Sequence, residues 1–209
     1  MLNKIKNSHS LFLFLTYFII IIAVLSTFRD IGIHIEEKFH RMNGLYWLNY
    51  VSQIFSFEKI NSLTEIKMNE VNDYTLSSVA YYNKYGVIFD LPLAFIEVLF
   101  NIKKIENVYY LKHLLSFLIF LLSSFFFYKI LIQRFNNFFL SLSGTILFIT
   151  TPRIFGDSFF YKDILFLSFF NIGLYFLLKV SDNLNLKNIF FFSIFSAIAF
   201  NLRVFGLFL

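Results

Sequence analysis

Two short polar clusters hold the residue types that chemistry requires. The first, Arg29-Asp30-Ile31-Gly32-Ile33-His34-Ile35-Glu36-Glu37, sets Asp30, His34, Glu36 and Glu37 close together. Glu36 or Glu37 can act as general base on an acceptor hydroxyl or amine, with Asp30 as a further acid. The bland alternative is that Glu36 and Glu37 open a helix whose dipole favours acids there. The second cluster is Pro152-Arg153-Ile154-Phe155-Gly156-Asp157, running on to Lys162-Asp163. Arg153 can clamp a phosphate through two parallel bonds and Lys162 can hold one as a point charge. Snorkelling to lipid headgroups would also explain the two cations. Four charges so close together, beside Pro152 and Gly156, exceed what anchoring requires.

Both clusters lie next to apolar runs, and the composition says why. Apolar residues make up 58% of the chain and aromatics 22%, above the roughly 45–50% apolar share of a soluble domain. There is no cysteine, which excludes disulfides and thiolate metal sites. The net charge of +5 is scattered through apolar runs. That pattern favours lipid headgroups as partners and speaks against nucleic acid.

Five runs read as membrane helices: Leu11–Phe28, about Val108–Leu131, Phe138–Thr151, Ile164–Leu178 and Ile189–Leu209. A crossing needs roughly 20 apolar residues. The first run exceeds the ~7–15 residues of a signal-peptide core and is followed by no A-x-A-like site, so it reads as a retained helix. The fold class expected is all-α, a polytopic membrane protein. Lys4, Lys6, Lys129, Arg134, Lys179 and Lys187 fall on one side with Asp182 as their only acid. The positive-inside rule makes that side cytoplasmic, the N-terminus included. Every other acid then faces the external side, as do both clusters.

The segment from about residue 29 to 107 is a long external loop. From Glu36, apolar residues at Phe39, Met42, Tyr46, Tyr50, Val51, Ile54 and Phe57 follow a helical period. Trp47 with Tyr46 and Tyr50 suits an interfacial belt, and Glu37 with Arg41 suits an i,i+4 pair. A second surface helix starts at Asp90, read as its N-cap, with Pro92 in the first turn. Arg203 sits in the fifth run. About fifteen residues from Asn188, at ~1.5 Å each, lift it roughly 22 Å, to the level of the clusters. His34, Glu36 and His40 are metal-ligand types but lack the H-E-x-x-H spacing. A divalent cation bridging phosphate and carboxylate is compatible with them.

At these residues the chain resembles GT-C integral-membrane glycosyltransferases, in particular the protein O-mannosyltransferase and aminoarabinose-transferase branch. The order is similar: a first helix, external Ile35-Glu36-Glu37 followed by Arg41, surface helices, then Tyr109-Tyr110-Leu111-Lys112-His113 opening the second span. Ser143 to Leu167 looks like the second external turn of that class. The acidic pair is usually Asp-Glu in the class and is Glu36-Glu37 here, which keeps Asp30 in contention as the base. The resemblance implies inverting sugar transfer from a polyprenyl-phosphate donor to a glycan, lipid or protein acceptor at the external face. Glu36 or Glu37 would be the base, Asp30 an orienting acid, and Arg153, Lys162 and Arg203 the phosphate clamp, with Asp157, Asp163 and His34 beside them. It also implies an N-terminal portion of a longer transmembrane domain, residues 1–209, since the run ending at Leu209 is still apolar. A transporter or flippase of lipid-linked glycans would instead spread ionisable residues through several spans. A scaffold would tolerate changes at Arg153 and Lys162.

Overall fold

The computed structural model describes residues 2–34, 36–71 and 86–209, with residues 2–8 and Tyr161 described by backbone only. Ile35 of the first cluster and Asp73 of the long loop lie outside the described residues. The described residues form helices and no strands. In chain order these are α1 (Leu2–Thr27), α2 (Glu37–Ile54), α3 (Glu58–Val71), α4 (Asp90–Leu99), α5 (Ile105–Phe135), α6 (Phe138–Thr150), α7 (Pro152–Asp157), α8 (Tyr161–Asp182) and α9 (Leu186–Leu202).

Three stretches are long and apolar enough to cross a membrane: His9–Asp30, Ile105–Phe135 and Lys162–Asp182, with 22, 31 and 21 residues. Large apolar side chains of α1, among them Phe12, Phe14, Phe18, Ile19 and Ile22, lie on its outside. Such a continuous apolar surface suits lipid rather than water. Helices α6 and α9 have 13 and 17 residues. At ~1.5 Å per residue they measure about 20 Å and about 26 Å, short of the ~30 Å hydrocarbon core. Helix length alone therefore supports three crossings.

The connections follow their local chemistry. Asn136 takes a left-handed conformation (φ 49°) after α5, and the Asn137 side chain accepts a bond from the Leu140 N–H to start α6. Asn185 caps α9 the same way through the Lys187 N–H. The expected fifth span does not run to Leu209. Helix α9 stops at Leu202, Arg203 is extended, and Val204–Phe208 forms a 3-10 turn. A Cβ on Gly206 would lie 2.3 Å from the Phe200 nitrogen, so this glycine lets the turn fold back on the helix end.

The core of the bundle joins four helices: Val24, Phe117, Phe120, Leu121, Ile149, Ile164 and Leu165 pack together with Phe159. Its ends are sorted. At one end the His9 ring stacks on Phe138 at 4.1 Å, and Gln133 bonds Asp182. At the other, Phe160 lies between His34 (5.2 Å) and His113 (5.7 Å). Both polar clusters belong to that second end.

A second cluster joins Leu45 and Leu48 of α2 to Ala94 and Val98 of α4, with Ile60, Leu63, Met68 and Val71 of α3 beside it. Lys67 ties α3 to the loop after α4 by donating to the Ile102 carbonyl at 2.9 Å. Helix α2 has the expected apolar stripe, and the stripe is turned outward: Tyr50 and Ile54 are exposed, and Phe39, Met42, Tyr46 and Val51 are half-buried. The buried face is Glu37, Arg41, Gly44, Leu45, Leu48 and Ser52, also at helical spacing. Glu37 and Arg41 find their partners on other helices, so the expected pair within α2 is replaced by tertiary bonds. Asp90 likewise is the first residue of α4, with Phe89 at the cap position and no side-chain cap bond there.

Gly44 sits at a close approach of α2 and α4. A Cβ there would lie 2.3 Å from the Asp90 carbonyl oxygen and 3.2 Å from the Ala94 Cβ. In an open helix, glycine to alanine would gain up to ~1 kcal/mol. Here the clash is with backbone, so overpacking wins, at a cost of about 1–3 kcal/mol. Thermal unfolding of Gly44→Ala in detergent checks this, and a melting temperature at or above wild type contradicts it.

Candidate functional site

The loop before α2 and the turn from α7 into α8 face each other across an open cleft of about 610 Å³. Its polar lining comes from His34, Glu36, Glu37 and His40 on one side and Arg153, Asp157, Lys162 and Asp163 on the other, with Phe160 and Ile164 between. The cleft lies where α1, α5 and α8 reach one end of the bundle, the level at which spanning helices would meet water.

The two glutamates of the first cluster have different surroundings. Glu37 is buried, and both its oxygens meet His113 Nε2, at 2.9 and 3.1 Å. Its Oε2 also accepts the His34 N–H at 2.8 Å, which fixes the turn into α2. Glu36 is exposed, and its own N–H donates to His34 Nδ1 at 3.3 Å. Across the cleft Arg153 has its side chain 92% exposed and stands 3.8 Å from Asp157, one helical turn on. A loose surface pair like this contributes little to stability, so its guanidinium is available to an anion. Arg203 does not line the cleft, but bonds Asp163, which does. Asp30 lies exposed in the 3-10 turn after α1, outside the cleft lining.

Behind the cleft is a buried layer of charge that sequence reading passed over. His40 Nδ1 lies 3.0 Å from Asp90 Oδ2, which also accepts from Asn43 Nδ2 at 2.9 Å. Arg41 Nε donates to both oxygens of Glu97, at 3.1 and 3.2 Å, and its Nη2 donates to Oε1. Lys112 is buried in the same layer, and a narrow cavity lined by His40, Arg41, Asp90, Glu97, Tyr109 and Lys112 runs between α2, α4 and α5. Asp90 and Glu97 are two helical turns apart on α4, which puts both on one face. A signal was present: Lys112-His113 inside an apolar span is expensive without partners.

Burial lowers the affinity of Arg41 for its proton, but the hydrogen bonds and charge of Glu97 outweigh this and hold it above its ordinary value. His40 goes the other way. Burial pulls it below its usual 6.5, Asp90 opposes this through bond and charge, and the cations Lys112 and Lys162 pull it further down. That direction favours the neutral imidazole near pH 7.

Among the described residues, no group of three His, Asp or Glu could hold a metal ion, His34, Glu36 and His40 included. No family model, curated protein or solved structure matches the chain.

Proposed function

We propose that this protein is a membrane glycosyltransferase that moves a sugar from a polyprenyl-phosphate donor to an acceptor at the end of the bundle where the cleft opens. One observation supports this reading above the rest. The exposed carboxylate of Glu36 shares a cleft with Arg153 and Lys162 at the ends of the apolar helices. A lipid-borne phosphate enters such a cleft from the membrane side, and a soluble acceptor enters from water.

In this reading Glu36 takes the proton of the acceptor hydroxyl as its oxygen attacks the anomeric carbon. The bond from that carbon to the phosphate oxygen breaks on the opposite face, which inverts the centre. The departing phosphate keeps the electron pair, and its charge is held by Arg153 and Lys162. Glu37, tied to His113 and the His34 N–H, holds the loop that carries Glu36. Arg203 holds Asp163 beside the clamp. In this proposal α6 and α9 complete two further crossings with their flanking residues, and the lysines at the opposite end favour a cytoplasmic N-terminus. The likeness to GT-C enzymes points the same way.

Binding of an isoprenyl phosphate to the purified full chain tests the clamp. Arg153→Ala and Lys162→Ala are each expected to weaken it about tenfold or more, the worth of a charge-assisted hydrogen bond, about 1.5–3 kcal/mol. Arg153 makes only a loose surface pair, so Arg153→Ala leaves the fold intact. Wild-type affinity in both variants removes the reading and favours a scaffold.

A further inference from the structure

His40 is the residue shared by the open cleft and the narrow cavity behind it. Asp90 Oδ2 holds its Nδ1, and the same oxygen accepts from the Asn43 amide. With Nδ1 donating to a carboxylate, the basic lone pair of the ring is on Nε2. The charged neighbours are Arg41 on its own helix, Asp90 from α4, Lys112 from α5 and Lys162 from α8, with Glu36, Glu37, Arg153, Asp157 and Asp163 around the cleft. We propose that the His40–Asp90 pair takes up one proton when a phosphate ester enters the cleft, so that the anion is held by a third cation that its own arrival creates. This rests on the phosphate-clamp reading above and deepens it.

The physical argument is a balance of charge. Before an anion enters, burial holds His40 below its ordinary 6.5 against the pull of Asp90, and the Lys112 and Lys162 charges add to that lowering. An anion held by Arg153 and Lys162 offsets the Lys162 charge and adds an attraction of its own. Asp90 already stabilises an imidazolium in place, so protonation needs no rearrangement. The sign follows by linkage. His40 binds its proton more tightly in the complex than in the free protein. Affinity therefore rises as pH falls through the value for the complex, and levels off below the value for the free protein.

A phosphate monoester titrates near pH 6 itself, so the probe is a short isoprenyl phosphodiester, whose single charge does not change in that range. Its affinity for the full chain in detergent is expected to rise about tenfold between about pH 7.5 and pH 5.5, up to tenfold for each unit while one proton is linked. Calorimetry near pH 6.5, in buffers of different ionisation enthalpy, is expected to report proton uptake on binding. In His40→Gln, whose amide can still donate to Asp90, affinity is flat with pH and the uptake is gone. In Asp90→Asn the rise moves to lower pH, which provides a second check should His40→Gln fold poorly. A wild-type affinity flat with pH, or a rise that persists in His40→Gln, overturns the coupling. If the diester binds and Arg153→Ala weakens it while the pH profile is flat, the coupling alone falls. If the diester fails to bind at any pH, the clamp and the coupling fall together.

Discussion

Arg41→Met is expected to destabilise the folded protein by about 3–5 kcal/mol, the cost of stranding one member of a buried ion pair. Both side chains of the Arg41–Glu97 pair are at most 3% exposed, so the abandoned Glu97 carboxylate has no water to turn to. Glu70 also approaches Arg41, at 3.9 Å, but is 42% exposed and adds little. Glu97→Leu is expected to cost a similar amount by stranding Arg41. The double variant should recover most of the loss, because replacing a whole buried pair by apolar groups is often neutral or stabilising. Unfolding of the four proteins in detergent gives the cycle. Single variants that lose under about 1 kcal/mol, or a double variant as damaged as their sum, would show that the pair does not carry this part of the structure.

Glu36→Gln is expected to lower the rate of sugar transfer from a polyprenyl-phosphate donor by about 10²–10⁴-fold, the usual worth of a positioned general base. That is about 3–5 kcal/mol of barrier. Because Glu36 is exposed and its side chain sits in the open cleft, the same change should move stability by no more than ~0.5 kcal/mol. Glu37→Gln behaves differently. It removes the carboxylate that His113 meets, and so lowers stability and activity together. A folded Glu36→Gln protein that transfers at the wild-type rate ends the assignment of Glu36 as base, whatever Glu37→Gln does.

The apolar runs are visible as patterns along the chain, and α5 and α8 lie where those runs are. The turns at Asn136–Asn137 and Asn185 are made by local chemistry, because an asparagine that adopts a left-handed conformation or caps a helix does so through its own nearby backbone. The pairing of the two clusters was also reachable, since the expected alternation of crossings puts both at one end, and His34, Glu36 and Glu37 do line one cleft with Arg153, Asp157, Lys162 and Asp163. The outward stripe of α2 fits the surface helix expected there, and its buried polar face was harder to foresee. Its apolar stripe is real, but a helix at a membrane surface can turn that stripe to lipid and bury its polar face against protein. Arg203 was read as lying within the fifth helix because the apolar run continues past it, whereas the helix stops at Leu202 and Gly206 lets the chain fold back on its end.

Hydropathy and capping depend on a residue and its near neighbours, so a linear reading reaches an all-helical, membrane-suited chain and the two patches from which a site can be built. The partners of the buried charges depend on which helices touch. His40 meets Asp90 across 50 residues, Arg41 meets Glu97 across 56, and Glu37 meets His113 across 76. No local rule selects those pairs. The close approach at Gly44, which brings α2 and α4 together, and the Glu37–His113 bond from α2 to α5 make Glu37 a fixed support and leave Glu36 at the open cleft.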